Sequence, residues 1–131
     1  MSDNINTSLI KSSPGLLKLL HQNNTTLDVF RREMLALSCL VAGTSHQHLQ
    51  ESEPEMIHHT VFDLKREPKN EFDDKAVAIY FRDNKIGYIP QEKNEVIANL
   101  MDAGKKFSAK LISKEWKGDW LKIVVEIFLN D

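Results

Sequence analysis

The chain has 131 residues, of which 41% are hydrophobic, and it carries a formal net charge of −2. This length suits one domain with an appendage, and the hydrophobic fraction is enough to form a core, which excludes wholesale disorder. Proteins that coat polyanions non-specifically are usually strongly basic, so the net charge excludes that class while leaving room for a local basic stripe.

Cysteine content and hydropathy predict where the protein works. The single cysteine, Cys39, cannot build a disulfide framework or a cysteine-rich zinc site, and it indicates a reducing, intracellular setting. The longest apolar stretch, Leu35 to Gly43, is too short to span a bilayer. Residues 1–4 do not begin a signal peptide, because no basic region precedes an apolar one. We therefore expect a cytoplasmic protein.

The N-terminal part of the chain, residues 1–33, is predicted to be an extension with one short helix. Leu16 and Leu20 lie four positions apart after a Pro-Gly pair, which predicts a helix over about 14–22. Two roles remain open for this extension, an oligomer contact or a cap on the core of the domain at 34–131.

Six short strands are predicted in the rest of the chain. The first is apolar almost throughout, and its length and bounding Gly43 favour a largely buried strand, although a short buried helix would give a similar pattern. Pro68 ends the second, because proline has no N–H to donate to a sheet. The predicted strands cover 34–44, 56–66, 76–81, 85–89, 107–112 and 120–129.

One helix is predicted between the fourth and fifth strands, over about 91–103. Its apolar face is expected to consist of Val96, Ile97, Leu100 and Met101, at i, i+1, i+4 and i+5. Six strands with one intervening helix predict a mainly β protein, a small six-stranded antiparallel barrel of the OB-like or SH3-like kind.

Two blocks of sequence carry a resemblance to a known family. The run from Leu64 to Ile79 reads LKREPKNEFDDKAVAI, and the run from Lys85 to Pro90 reads KIGYIP before the predicted helix. Together they resemble the HIRAN domain, whose hallmark is Leu-x-Arg-Glu-Pro-x-Asn-x-aromatic-Asp ahead of a small-apolar strand. The resemblance covers roughly residues 34–131, and its long ordered Arg-Glu-Pro block is fairly specific.

The resemblance implies a non-enzymatic, OB-like module that captures the 3′ end of single-stranded DNA in repair or replication, without a cofactor. Phe72 would be one ring that stacks on a terminal base, and Asp73 would accept the free 3′-hydroxyl. His46 stands where the family has its other ring. Further DNA-binding residues implied by motif position are Arg66, Asn70, Tyr88, Gln91 and Phe128.

These residue types suit that task on physical grounds. An aromatic ring binds any base with little sequence preference, with a gain of about 1–3 kcal/mol per base. An ionised carboxylate only accepts hydrogen bonds, so it suits a hydroxyl and repels a terminal phosphate. Together they predict selection for an unmodified 3′ end.

Several positions depart from the family pattern. Thr44 and Ser45 stand where DNA-binding members carry a basic residue, His46 and Gln47 replace two tyrosines, and Gln91 replaces a lysine. These departures, with the apolar N-terminal helix, motivate a second hypothesis. In it the chain is a protein-interaction or self-assembly domain that kept the fold and lost the DNA pocket.

A partial replacement for the missing cations is predicted on the fifth strand. Lys106, Lys110 and Lys114 are expected to share its outward face, where they would track a phosphate backbone. The alternative for this stripe is a solvated strand face.

Structural alternatives stand beside the other binding roles. Arg66 could end its strand and brace the loop by an ion pair, Phe72 could be core, and Asp73 could cap the turn before Ala76. Phe128 falls on the outer side of the last strand, which the N-terminal helix could cover instead of DNA.

Four histidines are candidate metal ligands by residue type. No flanking carboxylate lies at a recognised ligand spacing, so no metal site is predicted and a metal-dependent hydrolase is only a weak third hypothesis. Cys39, in an apolar strand, is expected to be a buried hydrophobe rather than a nucleophile. The histidines concerned are His46, His48, His58 and His59.

Overall fold

The computed structural model describes residues 33–130, so the predicted helix over 14–22 lies outside the described residues. Within this range the longer regular elements are six strands and one α-helix. The strands are β1 (Glu33–Leu40), β2 (Val61–Glu67), β3 (Ala76–Phe81), β4 (Asn84–Tyr88), β5 (Lys106–Lys117) and β6 (Trp120–Asn130), and the helix is α1 (Glu95–Asp102). The prediction of a mainly β protein with six antiparallel strands and an inserted helix is confirmed.

The sheet has the strand order β1-β6-β5-β2-β3-β4, with every neighbouring pair antiparallel. Its two ends meet where Ala42, just after β1, bridges to Tyr88 at the end of β4. Two backbone hydrogen bonds of 2.8 Å, one in each direction, join these residues. The sheet therefore curls into a small barrel, as in OB-like folds.

This closure depends on Gly87. A Cβ at this position would collide with the Ala42 carbonyl oxygen and the Val41 side chain. Glycine is needed here because the two backbones approach more closely than a side chain permits.

The core fills the barrel interior through the alternation of the strands. On β6 the inward residues are buried apolar side chains, and their outward neighbours are half-buried or exposed. Phe62 on β2 is fully buried and packs edge-to-face against Phe81, with ring centroids 6.1 Å apart. Other fully buried large side chains are Met56, Ile79, Ile86, Leu111, Ile123 and Ile127.

The prediction that the first strand is largely buried is wrong. Within β1 only Cys39 is buried, while Met34 and Leu35 are more than half exposed. This exposure follows from the position of β1, which lies at the end of the sheet order and, among the described strands, pairs with β6 alone, with an irregular register between Leu35 and Leu37. Burial raises the pKa of the Cys39 thiol from 9.0 to about 11, which suits a packing role.

The predicted face of the helix is half right. Ile97 is buried and Met101 packs against the core, but Val96 is 67% exposed and Leu100 is at the edge of exposure. The small Ala98, fully buried, takes the place next to Ile97. The helix is also shorter than predicted, because a separate 3₁₀ turn occupies residues 91–93.

Strand boundaries also differ from prediction: β1 ends at Leu40 rather than at residue 44, and β2 and β5 differ as well. β2 begins at Val61 rather than at Met56, because a turn precedes it in which His59 has a φ of 68°. β5 continues past residue 112 to Lys117, since a bulge lets the strand keep its pairing with β6. Among the described residues, no helix has the length and apolar character that crossing a membrane requires.

Candidate nucleic-acid interface

The loop between β2 and β3 is folded by the side chain of Asn70. Its Oδ1 accepts hydrogen bonds from the backbone N–H groups of Phe72, at 2.9 Å, and Asp73, at 3.1 Å. Its Nδ2 donates to Glu67 Oε1 at 3.0 Å. Asparagine favours such local contacts with the backbone, so the motif residue sets the direction in which the next residues leave the loop.

The carboxylate of Asp73 is held from two sides. The Lys75 backbone N–H donates to Oδ1 at 2.9 Å, which is the turn-capping contact that the sequence allowed. Asn94, only 2% exposed, donates from Nδ2 to Oδ2 at 2.7 Å. An ionised carboxylate has about four acceptor positions, so both oxygens can still accept a hydrogen bond from a ligand.

Phe72 projects into solvent beside this carboxylate. It is 88% exposed, so the alternative that it belongs to the core is wrong. A large aromatic ring this exposed, next to a fixed carboxylate, suits stacking on a flat ligand.

These groups line a cavity of about 410 Å³ at the barrel closure. The turn after β1, the loop before β3 and the segment after β4 all contribute to it. The predicted residues that it brings together are His46, Asn70, Phe72, Asp73, Tyr88 and Gln91. Further lining residues, outside the predicted set, are Ala42, Gln47, Ala76 and Ile89.

A polar network lies behind the cavity wall. Lys85 Nζ is 2.6 Å from Glu67 Oε2 and donates to the Tyr88 hydroxyl at 2.9 Å. The Tyr88 hydroxyl in turn donates to Glu67 Oε1 at 2.8 Å. Burial acts to raise the pKa of Glu67, but hydrogen bonds from Lys85, Asn70 and Tyr88 outweigh it and hold that pKa below 4.5. Lys85 is not among the predicted site residues, because nothing local to its strand links it to the motif.

Arg66 does not line the cavity and instead braces the loop. Its guanidinium binds both carboxylate oxygens of Asp102, at 2.8 and 3.1 Å, and donates to the carbonyl oxygens of Asp74 and Ala76. The hydrogen bond from Arg66 lowers the pKa of Asp102. This arrangement ties the end of β2 to the loop and to the end of α1, as the bracing interpretation expected.

The lysines of β5 do not form one outward stripe. The register shift between Leu111 and Ser113 reverses the alternation, so Lys114 stands opposite the buried Ile123. Lys114 therefore lies on the inner side of the strand, and the prediction that it shares a face with Lys106 and Lys110 is wrong.

Two of these lysines are also engaged by acidic side chains. Lys110 Nζ is 2.8 Å from Glu33 Oε1, and Lys114 Nζ is 2.6 Å from Glu53 Oε2. Lys106 is exposed at the start of the strand. The charge available to a phosphate backbone is therefore smaller than the lysine count suggests.

Phe128 lies outside the cavity. It is on the outer side of β6, where Lys110 Nζ lies 4.8 Å from its ring centroid, and it is half-buried. The expectation that Phe128 contributes a pocket ring is wrong, because its strand parity points it away from the barrel interior. Across residues 33–130, no cluster of three or more His, Cys, Asp or Glu side chains is placed to hold a metal ion.

Comparison with known proteins agrees with this geometry. The profile of the HIRAN domain matches residues 34–130. A protein from Lactobacillus plantarum has a similar crystal structure, with a TM-score of 0.70 and 18% identity over 77% of this chain and 98% of that one. The HIRAN domain of human HLTF is similar with a TM-score of 0.60 and 16% identity over 76% and 78%. No curated protein matches the sequence. At these identities the two structures show the fold, and the family match over most of the chain shows that it belongs to the HIRAN family.

Proposed function

We propose that this chain binds single-stranded DNA and captures a free 3′-hydroxyl end in its cavity, as part of DNA repair or replication. HIRAN domains are generally single-stranded-DNA-binding modules that are non-catalytic alone. The observation that carries the finer proposal is the convergence of an exposed ring, Phe72, and a fixed carboxylate, Asp73, in one cavity.

The chemistry of the two groups supports this assignment. The terminal base would stack on Phe72, and its 3′-hydroxyl would donate to Asp73, whose oxygens are already oriented by Asn94 and the Lys75 N–H. A 3′-phosphate would meet the same carboxylate and be repelled. His46, exposed across the cavity, would provide the second flat surface for the base.

Fluorescence anisotropy with short labelled oligonucleotides tests the proposal. Strands that end in a 3′-hydroxyl are expected to bind, and strands that end in a 3′-phosphate are expected to bind more weakly. Equal affinity for both ends would contradict end capture, and no binding at low salt would contradict DNA binding altogether.

A second candidate is self-assembly through an apolar groove of about 330 Å³ between β1 and α1. The exposed side chains of Met34, Leu35 and Val96 line it, which is more apolar surface than a solvated face needs. We expect a second copy of the chain as the occupant. Light scattering of the full chain and of the Val96→Glu variant tests this, since a monomer in both would exclude it.

A further inference from the structure

The side of β1 that faces away from β6 takes part in the barrel closure only where the strand has ended. There, the N–H and C=O groups of Ala42 bond to Tyr88 of β4 at 2.8 Å. Beyond Tyr88 the chain cannot continue this pairing, because Pro90 has no N–H to donate to a neighbouring strand. Within residues 33–130, no strand pairs with the rest of this side, along residues 33–40. β1 therefore presents an open sheet edge.

Four residues of β1 direct their backbone groups toward this open edge. The N–H and C=O groups of an antiparallel strand alternate in direction from one residue to the next. Since Val41, directly after the strand, donates to β6, Leu40 and Ser38 direct their groups away from β6. The irregular register in the middle of the strand shifts the alternation by one residue, so that Leu35 and Glu33 do the same. The four positions are symmetric about the middle of the strand.

The side chains of β1 do not protect its edge. Natural edge strands often carry a lysine, another charge or a proline that discourages pairing with a second chain. Residues 34–40 read MLALSCL and contain none of these. Met34 and Leu35 are more than half exposed and Leu40 is 41% exposed, so an added strand would also remove apolar surface from water. Backbone groups and side chains thus both favour the addition of a strand.

The charges beside the edge favour a second copy of β1 as that strand. Glu33, at its start, is the charged residue of β1. Lys93 lines the groove beside the edge, and no ion pair among residues 33–130 involves it. Burial dominates the pKa of Cys39, and the charge of Lys93 opposes it, which places Lys93 near the end of β1; Glu92 is also near but does not line the groove. In an antiparallel pair the start of one strand lies beside the end of the other, so opposite charges meet.

We propose that two copies of the chain pair antiparallel through β1, about a two-fold axis near the middle of the strand, and so join their sheets. Glu33 of each copy then lies opposite Leu40 of the other, and Leu35 lies opposite Ser38, which matches the backbone groups that point outward. Glu33 can change partner because its present ion pair with Lys110 is exposed and contributes little to stability. The inference rests on self-assembly, the second candidate function, and adds to it the strand, orientation and register of the contact.

Sedimentation equilibrium of the full chain over a range of concentrations tests the proposal. The parent is expected to form a dimer and nothing larger, because a two-fold contact uses the same edge of both copies. Ser38→Pro removes an outward N–H at an edge position that tolerates proline, and should raise the Kd of the dimer by about tenfold or more. Ser38→Ala keeps the N–H and is the matched control, with an unchanged Kd.

The outcomes separate this inference from the function on which it rests. A monomer at every concentration would mean that some other segment or protein takes the edge, and it would overturn both. A dimer whose Kd is the same in Ser38→Pro would overturn the inference and leave self-assembly through the rest of the groove. Assembly beyond a dimer would contradict the two-fold contact.

Hydrogen exchange of the unmodified chain gives a readout that does not depend on how a proline variant folds. The amide protons of Ser38 and Leu40 are expected to exchange at least about tenfold more slowly at concentrations where the chain is dimeric than in dilute solution. Exchange rates that do not depend on concentration in a dimerising chain would overturn the inference.

Exchanging the two charges tests the orientation and register. Glu33→Lys and Lys93→Glu are each expected to raise the Kd of the dimer by about two- to fivefold, and the double variant should restore it. Lys69→Glu, an equal change in the loop between β2 and β3, is the control and should leave the Kd unchanged. A double variant that dimerises more weakly than either single variant would overturn the antiparallel register.

Discussion

The loop between β2 and β3 and the outer face of β5 use their polar groups in opposite ways. In the loop, Asn70 and Asp73 accept hydrogen bonds from nearby backbone N–H groups, and this leaves the ring of Phe72 in solvent. On β5, Lys110 extends across the sheet to Glu33 and covers the ring of Phe128. The hydrogen bonds of the loop thus direct its side chains into a cavity, while the lysine on the strand face is paired with a glutamate of the same protein.

This difference shows that a charged or aromatic residue type does not by itself identify a binding residue. Phe72 and Phe128 are both phenylalanines near polar side chains, yet only Phe72 lines the cavity and lies almost fully in solvent. What distinguishes them is the backbone that carries them, a tight loop in one case and a paired strand in the other. Four predictions would break or sharpen this comparison, here in order of decreasing expected effect.

Removing the exposed ring is expected to have the largest effect. The Phe72→Ala variant should lose about 1–3 kcal/mol of binding free energy, or roughly 5- to 150-fold in affinity for single-stranded DNA. Its thermal unfolding midpoint should not change, because the ring makes little contact with the protein. Anisotropy titration and a thermal melt measure the two quantities. Phe128→Ala is the matched control, and an equal loss of affinity there would place the interface on the β5–β6 face.

A larger residue at position 87 tests how much stability depends on the close approach of the two backbones at the barrel closure. Gly87→Ala forces a Cβ against the Ala42 carbonyl and Val41, and the free energy of unfolding is expected to fall by about 1–3 kcal/mol. Urea unfolding followed by tryptophan fluorescence measures it. Gly104→Ala is the control, since no atom lies within 4 Å of its added Cβ and only backbone strain remains. Equal losses in the two variants would contradict the role of the closure.

The ion pair behind the wall should make stability depend on pH. The pKa of Glu67 is lower in the folded chain than its ordinary 4.5, so its contribution is complete above about pH 4.5 and disappears as the pH falls through the folded value. Glu67→Gln places an amide donor against Lys85 and should cost about 1 kcal/mol at neutral pH. Urea midpoints from neutral pH down to about pH 3 measure the difference between the two proteins, which should shrink with acidification. A difference that stays constant would contradict this role.

Substitutions of lysines on the outer face of β5 are expected to have the smallest effect on DNA affinity and stability. Lys106→Ala and Lys110→Ala are expected to keep DNA affinity within about twofold and to change stability by less than about 1 kcal/mol, as for other exposed charges. The same anisotropy titration measures the affinities. A loss in Lys106→Ala as large as in Phe72→Ala would mean that the strand face belongs to the interface.

The order of elements was predictable because each has a local signal. Alternation in β3 and β6, Pro68 after β2 and the helical spacing around Ile97 are properties of short segments. The exposure of β1 was not predictable, because an apolar strand has the same sequence pattern whether it pairs with other strands on one side or on two. The bulge after Leu111 was also hidden, and it reversed the face of every later residue in β5, including Lys114.

By itself the sequence determined the loop that carries Phe72 and Asp73, since Asn70 and Asp73 bond to backbone groups within three residues of themselves. The tertiary structure alone decided what stands around that loop. Asn94 reaches Asp73 across 21 positions of sequence, and Tyr88 reaches Glu67 across as many. Short-range hydrogen bonds follow from residue order, whereas these contacts exist because β3 pairs with both β2 and β4 and so brings the segments beside them together.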